Sequence, residues 1–180
     1  MFQSCYELSS VTFPETITEI GNGTFDGCGN ITSFKIPNTV TTIGEDAFKQ
    51  VGFASINIPD SVISLGGSAF SFCENLTSAT IGSGLTIIPN NAFYTTGLTS
   101  IIIPAQITLI ERHAFAHCYS LATMDLTAFT DKNTIPSSDP DAFYESRNLK
   151  FEVSSIKMRE AFQEKGGGWP ATDSKYVIAE

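Results

Sequence analysis

Four cysteines and two histidines are the residues of this 180-residue chain best suited to nucleophilic, redox or metal chemistry. Cys5, Cys28, Cys73 and Cys118 each stand three residues after a phenylalanine: Phe2, Phe25, Phe70 and Phe115. A disulfide framework has irregular spacings, and a zinc site wants a C-x-x-C cluster. Neither is present, so the cysteines read as small buried side chains with free thiols. His113 and His117 flank Phe115, with Cys118 beside them. A spacing of four brings two imidazoles onto one face of a helix, as in H-E-x-x-H. Here Glu111-Arg112 precedes them and the segment reads as a turn, so exposed, unliganded histidines are expected. The stretch from Thr130 to Asp141 carries Asp131, Asp139 and Asp141. It lacks the D-x-D-x-D-G order of a calcium loop and reads as a solvated loop. No G-x-S-x-G, glycine-rich phosphate loop or triad order appears. The expectation is a chain that is not an enzyme, with no cofactor and no metal.

The cysteine spacing belongs to something larger. Ala-Phe recurs at Phe48, Phe70, Phe93, Phe115 and Phe143, with degenerate copies at Phe25 and Phe2. A second landmark, an apolar residue usually followed by Pro, falls at Phe13, Ile36, Ile58, Ile81 and Ile103, and more weakly at Leu126. A period of 22–23 residues marks a solenoid. The step from the second landmark to the next Phe is constant, so the slack lies between each Phe and the following strand. The sixth unit departs, with five extra residues within 127–141. Other columns keep one chemical type: Leu8, Ile31, Phe53, Leu76, Leu98, Leu121; Ile17, Val40, Val62, Leu85, Ile107; Ile20, Ile43, Leu65, Ile88, Ile110. One unit cannot bury these residues alone, and stacked units can.

Within a unit, Leu98-Thr99-Ser100-Ile101-Ile102-Ile103 alternates broadly before Pro104, which suits a short strand with Pro at its end. Ile107 to Ile110 suits a second short strand. Successive copies would pair in parallel at about 4.8 Å per coil. Adjacent coils hold Cys5 and Cys28, the one pair within bridging reach. Cys73 and Cys118 lie two coils apart, roughly 10 Å by strand spacing, beyond a disulfide.

This unit resembles the BspA-like, treponemal-type leucine-rich repeat, L-x-x-I-x-I-P-x-x-V-x-x-I-G-x-x-A-F-x-x-C. Leu76 to Ile88, Ile31 to Phe48 and Ile103 to Cys118 carry it clearly, and the match runs from residue 1 to about 153. Departures are Gly82 for Pro, Pro89 and Glu111 for Gly, and Val51 and Thr96 for Cys. The resemblance implies a leucine-rich-repeat solenoid, β-rich, with a parallel sheet of short strands. It also implies a surface-exposed or secreted protein with adhesive roles and no catalytic residues.

The expected organisation is repeats over 1–153, about six and a half coils, and a C-terminal cap over 154–180. Residues 1–5 align with the middle of a unit, which suggests a fragment boundary there. In the cap, Ser155 to Lys165 reads as a helix stopped by Gly166-Gly167-Gly168. Tyr176-Val177-Ile178 follows as a tail strand. Ile156, Met158, Phe162, Trp169, Tyr176 and Val177 are its expected covering residues.

The net charge is −9 with pI near 4.6. That excludes phosphate-reading surfaces and argues against anionic membranes. No run approaches a transmembrane span, and no signal-peptide profile opens the chain. Three N-x-S/T sequons, at Asn22, Asn30 and Asn75, matter only in a eukaryotic secretory host. The strand's outward positions are the remaining candidates. One column is nearly uniform: Ser10, Ser33, Ser55, Ser78, Ser100, Thr123. The other varies from coil to coil: Thr12, Lys35, Asn57, Thr80, Ile102, Asp125. That second column is the candidate binding row. The expected function is a monomeric, extracellular or cell-surface adhesion module for a protein or glycan, such as host extracellular matrix. The alternative is a structural spacer carrying another domain.

Overall fold

In the computed structural model, which describes residues 2–179 with the side chain of Asp173 excepted, the repeated columns stack as the spacing requires. Strands β1 (Glu19–Ile20), β2 (Thr42–Ile43), β4 (Ser64–Leu65), β6 (Ile87–Ile88), β8 (Leu109–Ile110) and β10 (Ser137–Ser138) build one flank. Strands β3 (Ser55–Ile58), β5 (Ser78–Ile81), β7 (Ser100–Ile102), β9 (Thr123–Asp125) and β11 (Lys150–Val153) build the front, with β12 (Tyr176–Ile178) added at the end. Every pairing is parallel and joins equivalent residues of neighbouring coils: Ser55 with Ser78, Ile101 with Met124, Ile43 with Leu65. The result is a solenoid of about seven turns with one C-terminal helix.

The Ala-Phe turns form a third ladder. The N–H of Phe25, Phe48, Phe70, Phe93 and Phe115 donates to the carbonyl of Ala47, Ala69, Ala92, Ala114 and Ala142 at 2.8–2.9 Å. Those alanines are fully buried. The Phe rings stack down the interior. Centroids from Phe2 through Phe25, Phe48, Phe70, Phe93 and Phe115 are 5.3–5.6 Å apart, and Phe143 follows at 6.2 Å. Each stacked pair contributes about 0.5–1.5 kcal/mol beyond its buried area.

The cysteine column has a purpose that spacing alone does not give. The thiols of Cys28, Cys73 and Cys118 donate to the carbonyls of Phe2, Phe48 and Phe93 in the preceding coil, at 3.0–3.1 Å. Ser146 does the same to Phe115, at 2.7 Å. All four cysteines are unbridged, and the Cys28 thiol donates to the Phe2 carbonyl. Burial pushes the thiols of Cys28, Cys73 and Cys118 up, that of Cys73 to about 12.

Val51 and Thr96 replace the cysteine in the two shortened turns, and each is followed by glycine. A Cβ on Gly52 would lie 1.9 Å from the Gly29 carbonyl oxygen, and one on Gly97 2.2 Å from that of Glu74. With one residue fewer, the turn passes against its neighbour's backbone, and only glycine fits.

The five-residue insertion is less solvated than its composition suggests. Asp131 caps the 3-10 turn Lys132–Thr134, whose residues are exposed. Phe129 and Ile135 on either side are buried. The C-terminal helix α1 (Ile156–Lys165) gives Phe129 a surface, its ring edge-on to Phe162. Ser155 caps α1 by accepting from the Met158 N–H. Met158, Phe162, Trp169 and Tyr176 are buried over the last coil, and Trp169 Nε1 donates to the Pro136 carbonyl. Ile156 and Val177, expected among the covering residues, are instead 57% and 47% exposed. Ile156 opens the helix on its outer side, and Val177 continues the outward strand row past Glu152.

Among the described residues no helix is long and apolar enough to cross a membrane, and no group of three His, Cys, Asp or Glu is placed to hold a metal ion.

Candidate functional site

The front sheet sets out the varied row in register. Asn57 sits beside Thr80, and Ile102 beside Asp125, with Glu152 and Val177 continuing it. Parallel pairing of short strands puts every second residue on the same outer face. Thr12, Lys35, Asn57, Thr80 and Ile102 are exposed, Ile102 by 63%. Asp125 is half-buried, and its Oδ1 accepts from both the N–H and the hydroxyl of Thr127. Its carboxylate therefore shapes the bend leaving β9, and it is the least available member of the row. Lys35 approaches Glu15 at 3.9 Å, an exposed pair of little energetic weight. Beside Asn57 and Thr80 the sheet edge dips into a hollow of about 480 Å³ that also takes in Asn38, Asp60 and Gly82. The Ser83 N–H donates to Asp60 and holds that carboxyl below the usual range.

A second recess lies on the ridge of Ala-Phe turns, where sequence reasoning placed only exposed histidines. Residues two before and two after Phe48, Phe70, Phe93 and Phe115 adopt left-handed backbone: Asp46 and Gln50, Ser68 and Phe72, Asn91 and Thr95, His113 and His117. That geometry aims their side chains outward. Tyr94 and Tyr144 follow their Phe directly, and Ala116 holds the same place in the coil between them. The small Ala116 leaves a gap, which both imidazoles enter. His117 lies 5.2 Å from the Tyr94 ring and 5.5 Å from that of Tyr144; His113 lies 6.3 Å from each. Ala116 is fully buried beneath them.

The histidines are thus half-buried and ring-packed, which corrects the expectation of exposed side chains. His117 Nδ1 also lies 2.7 Å from the Tyr119 hydroxyl. Phe72 continues the ring row 5.3 Å from Tyr94. Aligning the residues after each Phe would have revealed this row. The aromatic residues alternate between two columns, so neither column alone looks aromatic.

The chain matches the model of the BspA type leucine-rich repeat region in six copies over residues 1–122. Its fold is similar to that of a Treponema pallidum leucine-rich repeat protein, at 22% identity and TM-score 0.75, covering 99% of this chain and 76% of that one. A Bacteroides ovatus leucine-rich repeat protein is similar at 22% identity and TM-score 0.63, covering 86% of this chain. The chain spans about half, 51%, of that protein's length. The pneumococcal vaccine antigen PcpA shares the fold at 13% identity and TM-score 0.50, covering 96% and 79%. No protein of curated function is similar enough to the chain to add to this. The six matched copies, the stacked phenylalanines and the in-register strands place this chain in the BspA-type leucine-rich repeat family.

Proposed function

We propose that this chain is a non-catalytic binding module of the extracellular or cell-surface kind, which recognises a protein or glycan partner through the front of the solenoid. The observation that carries this is the contrast between columns. Buried columns repeat one chemical type in every coil, while the exposed row Thr12, Lys35, Asn57, Thr80, Ile102 changes at each step, its last three members on paired front strands. A fixed scaffold with a variable outer row suits recognition, since little conformational entropy is lost on binding. Asp125 contributes chiefly by fixing its bend.

The charge of −9 favours partners other than nucleic acid and anionic lipid. The capped end and the paired strands suit a monomer that needs no cofactor. The test is binding of the purified chain to immobilised extracellular-matrix proteins and mucins, alongside an Asn57→Ala, Thr80→Ala, Ile102→Ala triple variant. A retained partner that the variant loses supports the reading. Retention by neither protein across the panel would leave the spacer reading standing in its place.

A further inference from the structure

We propose that the recess on the turn ridge, walled by Phe72, Tyr94, His117 and Tyr144, is a binding site for a neutral oligosaccharide, separate from the front row. The recess encloses about 450 Å³ and is also lined by Ser68, Asn91 and Lys49. That volume falls in the usual range for small-ligand sites, which pair ring surface with a few polar groups.

The surroundings narrow the occupant. Three carboxylates near the recess have their own cations: Asp46 with Lys49 at 3.3 Å, Asp141 with Arg112 at 3.1 Å, Glu145 with Arg147 at 2.6 Å. Among the described residues no carboxylate lines the recess, and the Lys49 ammonium is already paired. An anion would meet a lysine that Asp46 already holds, and a cation would meet that lysine with no lining carboxylate to receive it. A peptide strand would need free backbone groups. The ridge N–H groups of Phe72, Asn91, Thr95 and His117 are already spent on neighbouring coils. A proline-rich peptide needs slots between rings, and these rings touch edge to face at 5.2–5.5 Å.

A neutral sugar meets what remains. Its C–H face carries the weak positive edge that an aromatic face attracts. Its hydroxyls both donate and accept, matching Asn91, Ser68 and the tyrosine hydroxyls. Tyr144 and Phe72 are 51% and 39% exposed, so ring surface is available at both ends.

The experiment is an array of neutral, sialylated and sulfated oligosaccharides probed with the wild-type chain and with Tyr94→Leu, Tyr144→Leu and Tyr144→Phe variants. Circular dichroism checks the fold of each. Tyr144 is half-exposed, so Tyr144→Leu keeps the test alive if Tyr94→Leu misfolds. The expected result is binding to neutral glycans. Either Leu variant should weaken it at least tenfold, and Tyr144→Phe should keep most of it. Binding confined to acidic glycans, no binding at all, or loss with the front-row triple variant instead of the ridge variants would overturn the proposal. A front-row partner found in the matrix panel would be unaffected by any of these outcomes.

Discussion

At the level of single residues, the cysteine position shows how a repeat column is chosen. The Phe carbonyls of Phe2, Phe48, Phe93 and Phe115 accept a side-chain hydrogen bond from the next coil, through thiol or hydroxyl. Leaving a buried acceptor without its donor costs about 1–3 kcal/mol. Cys73→Ser keeps a donor, as Ser146 demonstrates, and should stay within about 1 kcal/mol of wild type in urea unfolding. Cys73→Ala removes the donor and opens a small void, and should cost about 2 kcal/mol. Equal losses in the two variants would show that the hydrogen bond is not what the column selects. Thiol titration of denatured, unreduced protein should find four reactive groups, and two missing would reveal a Cys5–Cys28 bridge.

The same burial sets a pH dependence. The folded Cys73 thiol titrates at about 12, against an ordinary value of 9.0. Its contribution to stability is full below pH 9 and is lost as pH rises from 9 through 12. The unfolding midpoint should therefore fall across that range, and Cys73→Ser should flatten the fall.

At the level of the element, the turns carry what the repeat pattern did not disclose. The strands, the Phe stack and the α1 boundaries were legible, because each depends on apolar periodicity or on a capping residue such as Ser155. The insertion was less so. Phe129 is buried against Phe162 of α1, which lies downstream in the chain, and local polarity could not reveal that contact. The ring-packed histidines were missed for a related reason. Their packing depends on left-handed backbone at 113 and 117 and on the small Ala116 between two tyrosines in other coils.

Turn geometry makes two stability predictions. Thr95 is β-branched yet has φ 54°, a conformation that disfavours such residues. Asn tolerates it, so Thr95→Asn should raise stability by about 1 kcal/mol. An unchanged melting curve would show that Thr95 carries no strain at this φ. Gly52→Ala should act in the other direction. A methyl 1.9 Å from a backbone carbonyl oxygen forces two coils apart, at a cost of about 3 kcal/mol or more.

Across the whole molecule, stability is a sum of coil–coil contacts, because each coil touches only its neighbours. The end of the stack is therefore its weak point. Phe151, Leu149 and Val153 present an apolar cross-section after β11. The segment beyond covers it: Trp169 packs against Phe143, Phe151 and Phe162 at centroid distances of 5.0–5.5 Å, and Tyr176 lies 5.7 Å from Phe151. Strand β12 also pairs with β11 along Phe151, Glu152 and Val153, so the backbone edge of the front sheet is occupied. Deleting residues 154–180 would expose both the rings and that edge. An open edge with apolar neighbours templates association. Burial of Trp169 alone is worth about 2–3 kcal/mol by area, a large share of a small domain's stability. The truncated chain should dimerise or aggregate in light scattering. Hydrogen exchange should show β9 and β11 fraying before β3 and β5, since loss of the cap propagates coil by coil. A truncated chain that stays monomeric with unchanged protection at β11, but no longer binds a partner, would make this segment a recognition element in its own right.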